Sequence, residues 1–249
     1  MPIETTRTTL GASTRAVVLL LLCLGLTACP RPVQPPAPAP SVPPQPAPTE
    51  PVPPAREAGA AIYEIDPQAS VVHIHVFRGG TFARLGHNHV MSSKSVTGRV
   101  WILPQLSESG FELSFPVAEL SVDDPEARRA AGSDFPPEIP AADKEGTRKN
   151  MLRKDVLDAE NYPQVTVKSA AVAGSIQAAK ITARITIKDA TREVIVPTSI
   201  VVNGSRLTAS GEFEIRQTDF GMKPFSVALG ALEVQDPLRI RFNLVAVKR

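Results

Sequence analysis

From residue 62 onward, apolar and polar positions alternate with a period of two. In "FELSFPV", Phe111, Leu113, Phe115 and Val117 share one face. In "KITARITIK", Ile181, Ala183, Ile185 and Ile187 stand opposite Thr182, Arg184, Thr186 and Lys188. "PLRIRFNLVAVKR" sets Leu238, Ile240, Phe242 and Leu244 against Arg239, Arg241 and Asn243. This pattern predicts half-buried strands of an antiparallel sheet, since strands of parallel sheets are apolar on both faces. Further strands are expected over 70–78, 95–103, 163–173, 193–202 and 205–216, about eight in all. "VNGS", residues 202–205, reads as a tight hairpin with Asn-Gly supplying positive φ.

Helical spacing occurs once, in "GTRKNMLRKDVLDAENYP", where Met151, Leu152, Val156 and Leu157 recur and Pro163 closes the run. Tyr162-Pro163 is expected to end the helix and launch the next strand. Residues 123–147, rich in Pro, Gly, Asp and Ala, read as a long surface loop. The fold class is therefore all-β and antiparallel, about eight strands with one short helix, closed as a barrel or stacked as a sandwich. A barrel of that size can enclose one small or elongated ligand. Phe111, Leu113, Phe115, Val165, Ile185, Ile240, Phe242 and Leu244 are the ligand-binding residues expected on its inner wall.

Composition divides the chain before the domain begins. More than half of the 25 prolines fall in residues 30–54. Proline fixes φ and removes a donor, so this stretch favours extended polyproline II. Ahead of it, Arg7 and Arg15 precede "AVVLLLLCLGL", too short to span a bilayer and suited to a secretory signal. That run ends in "LTAC", which resembles the lipobox of a bacterial lipoprotein. The resemblance implies a signal peptide over 1–28, a lipidated (palmitoylated) Cys29 opening a tether over 29–60, and one domain over 61–249. It also implies a membrane anchor on the periplasmic side of the cell envelope. Pro30, where an inner-membrane lipoprotein often has Asp, favours the outer membrane. Residues 61–249 contain no cysteine, which excludes disulfides, thiolate catalysis and cysteine-ligated metals there. The chain is formally only +2 and shows no basic stripe, so nucleic acid is not an expected partner. Neither Gly-x-Ser-x-Gly nor a phosphate-cradling glycine loop occurs, so no enzymatic activity is expected.

All four histidines lie in "HIHVFRGGTFARLGHNHV", residues 73–90. His73 and His75 share a strand face; His87 and His89 do so if that stretch is extended. A hairpin turning near Gly79-Gly80 could gather the four rings around zinc or another transition metal, and the chain would then be a metal-binding protein or a metal-dependent hydrolase. Against this, Gly86 and Asn88 suggest a turn that would separate His87 from His89. The competing expectation is a rim of polar rings bonded to backbone or to a lipid headgroup.

Four blocks in register resemble the YceI-like family: "YEIDPQASVVHIHV", "RKNMLRKDVLDAENYPQVTVKS", "ITIKDATREVIVPTSI" and "IRQTDFGM". The likeness covers residues 62–249. It implies a lipocalin-like extended barrel whose elongated apolar cavity binds a polyisoprenoid or similar long-chain lipid, such as an isoprenoid quinone, without a cofactor. In "RQTDFG", Arg216, Asp219 and Gly221 are expected to build a β-corner, the charged pair satisfying backbone groups. The chain departs from the family pattern at Lys188-Asp189-Ala190, in the length of 123–147, and in "GHNHV".

Overall fold

The computed structural model describes residues 59–136 and 138–249. The expected signal peptide, Cys29 and the proline-rich tether lie outside the described residues. Twelve strands and two helices follow in chain order: β1 (Ala61–Ile65), β2 (Val71–Gly79), β3 (His89–Ser93), β4 (Thr97–Ile102), β5 (Gly110–Pro116), β6 (Ser121–Val122), α1 (Pro125–Ala131), α2 (Ala141–Leu152), β7 (Gln164–Ser175), β8 (Ala178–Ile187), β9 (Ala190–Asn203), β10 (Arg206–Arg216), β11 (Ser226–Val227) and β12 (Leu232–Lys248).

Eight strands close an antiparallel barrel in the order β1-β4-β5-β7-β8-β9-β10-β12, and β12 returns to β1. Closure leaves this circuit without a free edge. The seventeen-residue β12 makes it possible. One of its edges pairs with β10 from Pro237 to Val247. The other edge is shared: Ala246–Lys248 pairs with β1, and Glu233–Asn243 pairs with β2. β2 carries β3, and β3 carries β6, as a flap continuing the wall. β12 changes register against β2 between Val234 and Leu238, and Pro237 sits at that irregularity, where a strand tolerates proline.

The alternation does what its period requires. In β8, Ile181, Ala183, Ile185 and Ile187 are buried while Lys180 and Arg184 are exposed. Each fully buried Ile, Leu or Phe on such a face contributes roughly 1.5–3 kcal/mol. A second, small core of Val90, Ala127 and Phe135, with Phe77 against it, lies apart from the main one.

Three local expectations need correction. Residues 123–147 are not a continuous loop: they hold α1 and the first half of α2. Asp124 caps α1 by accepting from the Glu126 and Ala127 amides, and Pro125 sits at its first turn. The helix expected up to Pro163 instead starts at Ala141 and ends at Leu152, because Arg153 turns extended and Asp158 takes a positive φ. Val156 and Leu157 belong to the turns that follow. Finally, at the β9–β10 hairpin Asn203 pairs with Arg206, and only Gly204 of the "VNGS" stretch has positive φ.

Candidate functional site

The barrel encloses a cavity of about 580 Å³, well inside the range of small-molecule sites. The inward residues of β2, β5, β7, β8, β9, β10 and β12 line it, and all eight residues named from the alternation lie on its wall. Phe213 and Phe242 face each other edge-on across the β10–β12 pair at 6.3 Å. Thr198 is the lone hydroxyl on β9's part of this wall, and it donates to the Val196 carbonyl, leaving the surface effectively apolar.

Polar lining gathers at one end. Arg78, His87, His89, Asp143, Thr147, Asn150 and Glu233 meet the cavity there, beside the exposed Leu85. α2 supplies Asp143, Thr147 and Asn150 from one helical face, at spacings of four and three. Near this end the "RQTDFG" corner is held by Gln217, which donates to the Gln235 carbonyl, and by Asp236, which accepts from the Thr218 amide and hydroxyl. Phe220 plugs the corner and Gly221 has φ +67°. The expected roles of Arg216 and Asp219 thus fall to Gln217 and Asp236.

The four histidines do not converge. The β2–β3 register pairs His89 with Val76, and Val76 faces the cavity. His87 and His89 therefore meet the cavity, with ring centroids 6.2 Å apart. His73 and His75 alternate with the cavity-lining Val72, Ile74 and Val76, so they point to the other side of the sheet. There His73 Nδ1 is 2.8 Å from Ser92 Oγ, and His75 stacks edge-on to Phe135 at 5.4 Å with its Nδ1 3.3 Å from the Arg239 carbonyl. Burial, with Arg241 nearby, holds both of these rings below the usual histidine pKa of 6.5. Among the described residues, no group of three or more His, Cys, Asp or Glu is arranged to hold a metal ion. The separation of the pairs answers the four-histidine arrangement expected from the sequence: a single residue of register decides the face.

Sequence reasoning missed the network that fixes His89. Asp123 and Arg128 are fully buried and paired at 2.5 Å. The other Asp123 oxygen lies 2.6 Å from His89 Nδ1, and Val90 N–H donates to the first. Burial pushes the Asp123 carboxyl up, but the hydrogen bonds from His89, Val90 and Arg128 outweigh it and hold its pKa below the ordinary value. Arg128 also donates to the carbonyls of Asn88 and Pro136, and Lys144 to the carbonyl of Asp123. Thr147 Oγ1 meets the far nitrogen of His89 at 3.3 Å. The network thus ties β3, α1 and α2 together at the cavity's polar end. Its signal was present in "DDPEARR": an N-cap aspartate, a proline at the first turn, and an arginine one turn on.

A family model described as the YceI-like domain matches residues 63–246. Among solved structures, the chain is similar to Burkholderia cenocepacia BcnA, at 22% identity and a TM-score of 0.54, over 73% of this chain and 98% of that one. It is also similar to a polyisoprenoid binding domain from Saccharophagus degradans implicated in plant cell wall breakdown, at 12% identity and a TM-score of 0.49, over 75% and 98%. A Campylobacter jejuni YCEI protein aligns at 13% identity with a TM-score of 0.45, over 63% and 82%. The likeness to BcnA is a likeness of fold. No curated protein sequence matches.

Proposed function

The chain belongs to the YceI-like family, and from that premise we propose that its barrel carries a long-chain lipid, a polyisoprenoid or an isoprenoid quinone, with no chemistry done on it. The observation that supports this is the distribution of polarity: a long apolar wall, with ionisable and amide side chains only at one end. That arrangement suits an amphiphile with its tail inside and its headgroup among His87, His89 and Asn150. The driving force is transfer of the tail out of water, about 0.8 kcal/mol per buried CH₂. Organic extraction of the purified protein followed by mass spectrometry tests it. A stoichiometric prenyl lipid is expected; empty protein from several hosts that also ignores added quinone would contradict it.

The reading extends to place. We take residues 1–28 as a signal peptide and Cys29 as a lipidated anchor holding the domain on the periplasmic side of a bacterial membrane, the outer one by preference. Its support is the short apolar run ending in "LTAC" and the proline-rich stretch after it. Twenty-five residues of polyproline II would reach on the order of 80 Å. Incorporation of labelled palmitate, abolished by Cys29→Ser, is the expected result.

A further inference from the structure

Two loops beside the open end of the cavity carry a group of large apolar side chains into solvent. Phe82 and Leu85 come from the connection between β2 and β3, and Val227 and Leu229 from the segment around β11. Leu85 is 70% exposed and Leu229 fully so, although both have a packed barrel nearby. The loops are joined: the Phe82 amide donates to the Ala231 carbonyl at 2.6 Å. Gly80, at φ +83°, comes so close to the Gly230 and Ala231 carbonyls that a Cβ there would overlap them. Ala228 and Leu229 both adopt left-handed backbone, at φ +50° and +57°. Two successive non-glycine residues in that region are strained, and here the strained pair is where Leu229 points outward.

We propose that this tip, Phe82, Leu85, Val227 and Leu229, inserts into the surface of a phospholipid bilayer and holds the cavity mouth against it. Charge is nearly balanced around the tip: Arg78 and Arg84 are offset by the Glu233 and Asp143 carboxylates at the cavity mouth, and Lys223 reaches Asp155 at 3.3 Å. Exposed apolar side chains with few net charges suit the boundary between headgroups and acyl chains. Scale favours this occupant, since four side chains on two loop tips fall short of the roughly 800 Å² per partner that a stable protein interface buries. The position also has a use: Leu85 both lines the cavity and belongs to the tip, so a tail could pass between bilayer and barrel without crossing water. That use rests on the lipid-carrier reading; the docking itself does not.

The test uses the chain from residue 29 onward, with Cys29→Ser, so that neither acylation nor the apolar run within residues 1–28 plays a part. A polarity-sensitive fluorophore is attached at Leu229→Cys or, as a control at the opposite end of the barrel, at Ser205→Cys. Phosphatidylcholine vesicles containing phosphatidylglycerol should shift the residue-229 probe to the blue and leave the residue-205 probe unchanged. Spin-labelled lipid should quench only the first. Phe82→Ser with Leu85→Ser should weaken vesicle binding by about tenfold or more without altering thermal unfolding. Equal responses at both positions, no shift at residue 229, or a shift that needs a second protein copy instead of vesicles would each overturn the proposal. Docking by protein from which no lipid is ever extracted would leave the tip standing and sink the carrier reading; lipid-loaded protein with a silent tip would do the reverse.

Discussion

On the inner face of the β2–β3 hairpin, Val72, Ile74, Val76 and Met91 look into an apolar cavity. One residue along, on the outer face, His73 and Ser92 are hydrogen-bonded to each other, and His75 packs edge-on to Phe135 and reaches the Arg239 carbonyl. The same two strands thus solve opposite problems. The outer face consumes its polar groups internally and pins down α1 and the segment after it. The inner face leaves apolar surface facing space, which a protein tolerates at a cost in packing unless something fills it. The difference separates structural histidines from one available to a ligand: His73 and His75 serve the first purpose, His87 lies where the second is possible, and His89 lines the cavity with both ring nitrogens already bonded within the protein.

The largest effect is expected where the outer side is held by charge. Arg128→Met leaves Asp123 buried without its cation, and unfolding in denaturant should show a loss of about 3–5 kcal/mol. Next comes the inner face. Ala183→Phe projects a ring into the cavity, and prenyl-lipid binding should fall by about tenfold or more while stability changes by roughly 1–3 kcal/mol. Unaltered binding would mean that the lipid sits elsewhere.

Acid should act on the outer-face pair. The pKa values of His73 and His75 are lowered on folding, so the unfolded chain takes up protons first as pH falls. Their contribution is fully present above pH 6.5 and is lost as pH drops through that value toward the folded pKa values. Denaturant midpoints measured across that window should fall with pH, and His73→Gln with His75→Gln should flatten the slope. The smallest effect is expected at the rim: His87→Ala should lower lipid affinity by about 1 kcal/mol, or roughly fivefold, with no change in stability. His73→Ala should show the opposite pattern.

The barrel wall was legible because long strands with one buried face repeat their signal: β8 and β12 each give at least four inward residues at period two. β1, β3 and β6, of five, five and two residues, are too short to establish a period. The histidine geometry was illegible for another reason. Whether His89 faces Val76 or His75 depends on how many residues the intervening connection consumes, and the residue opening its 3-10 turn at Ala83–Leu85, Phe82, bonds through its amide to the distant Ala231 carbonyl. The Asp123–His89 contact joins residues 34 apart through a positive-φ aspartate, which no local spacing announces.

The central claim is that the cavity takes up an apolar chain. Titrating the delipidated protein with prenols of increasing length tests it most directly. The account predicts that affinity climbs by about 0.8 kcal/mol for each further buried CH₂ and then levels off once the cavity is full, with Ala183→Phe levelling off earlier. Affinity independent of chain length, in both proteins, would contradict it.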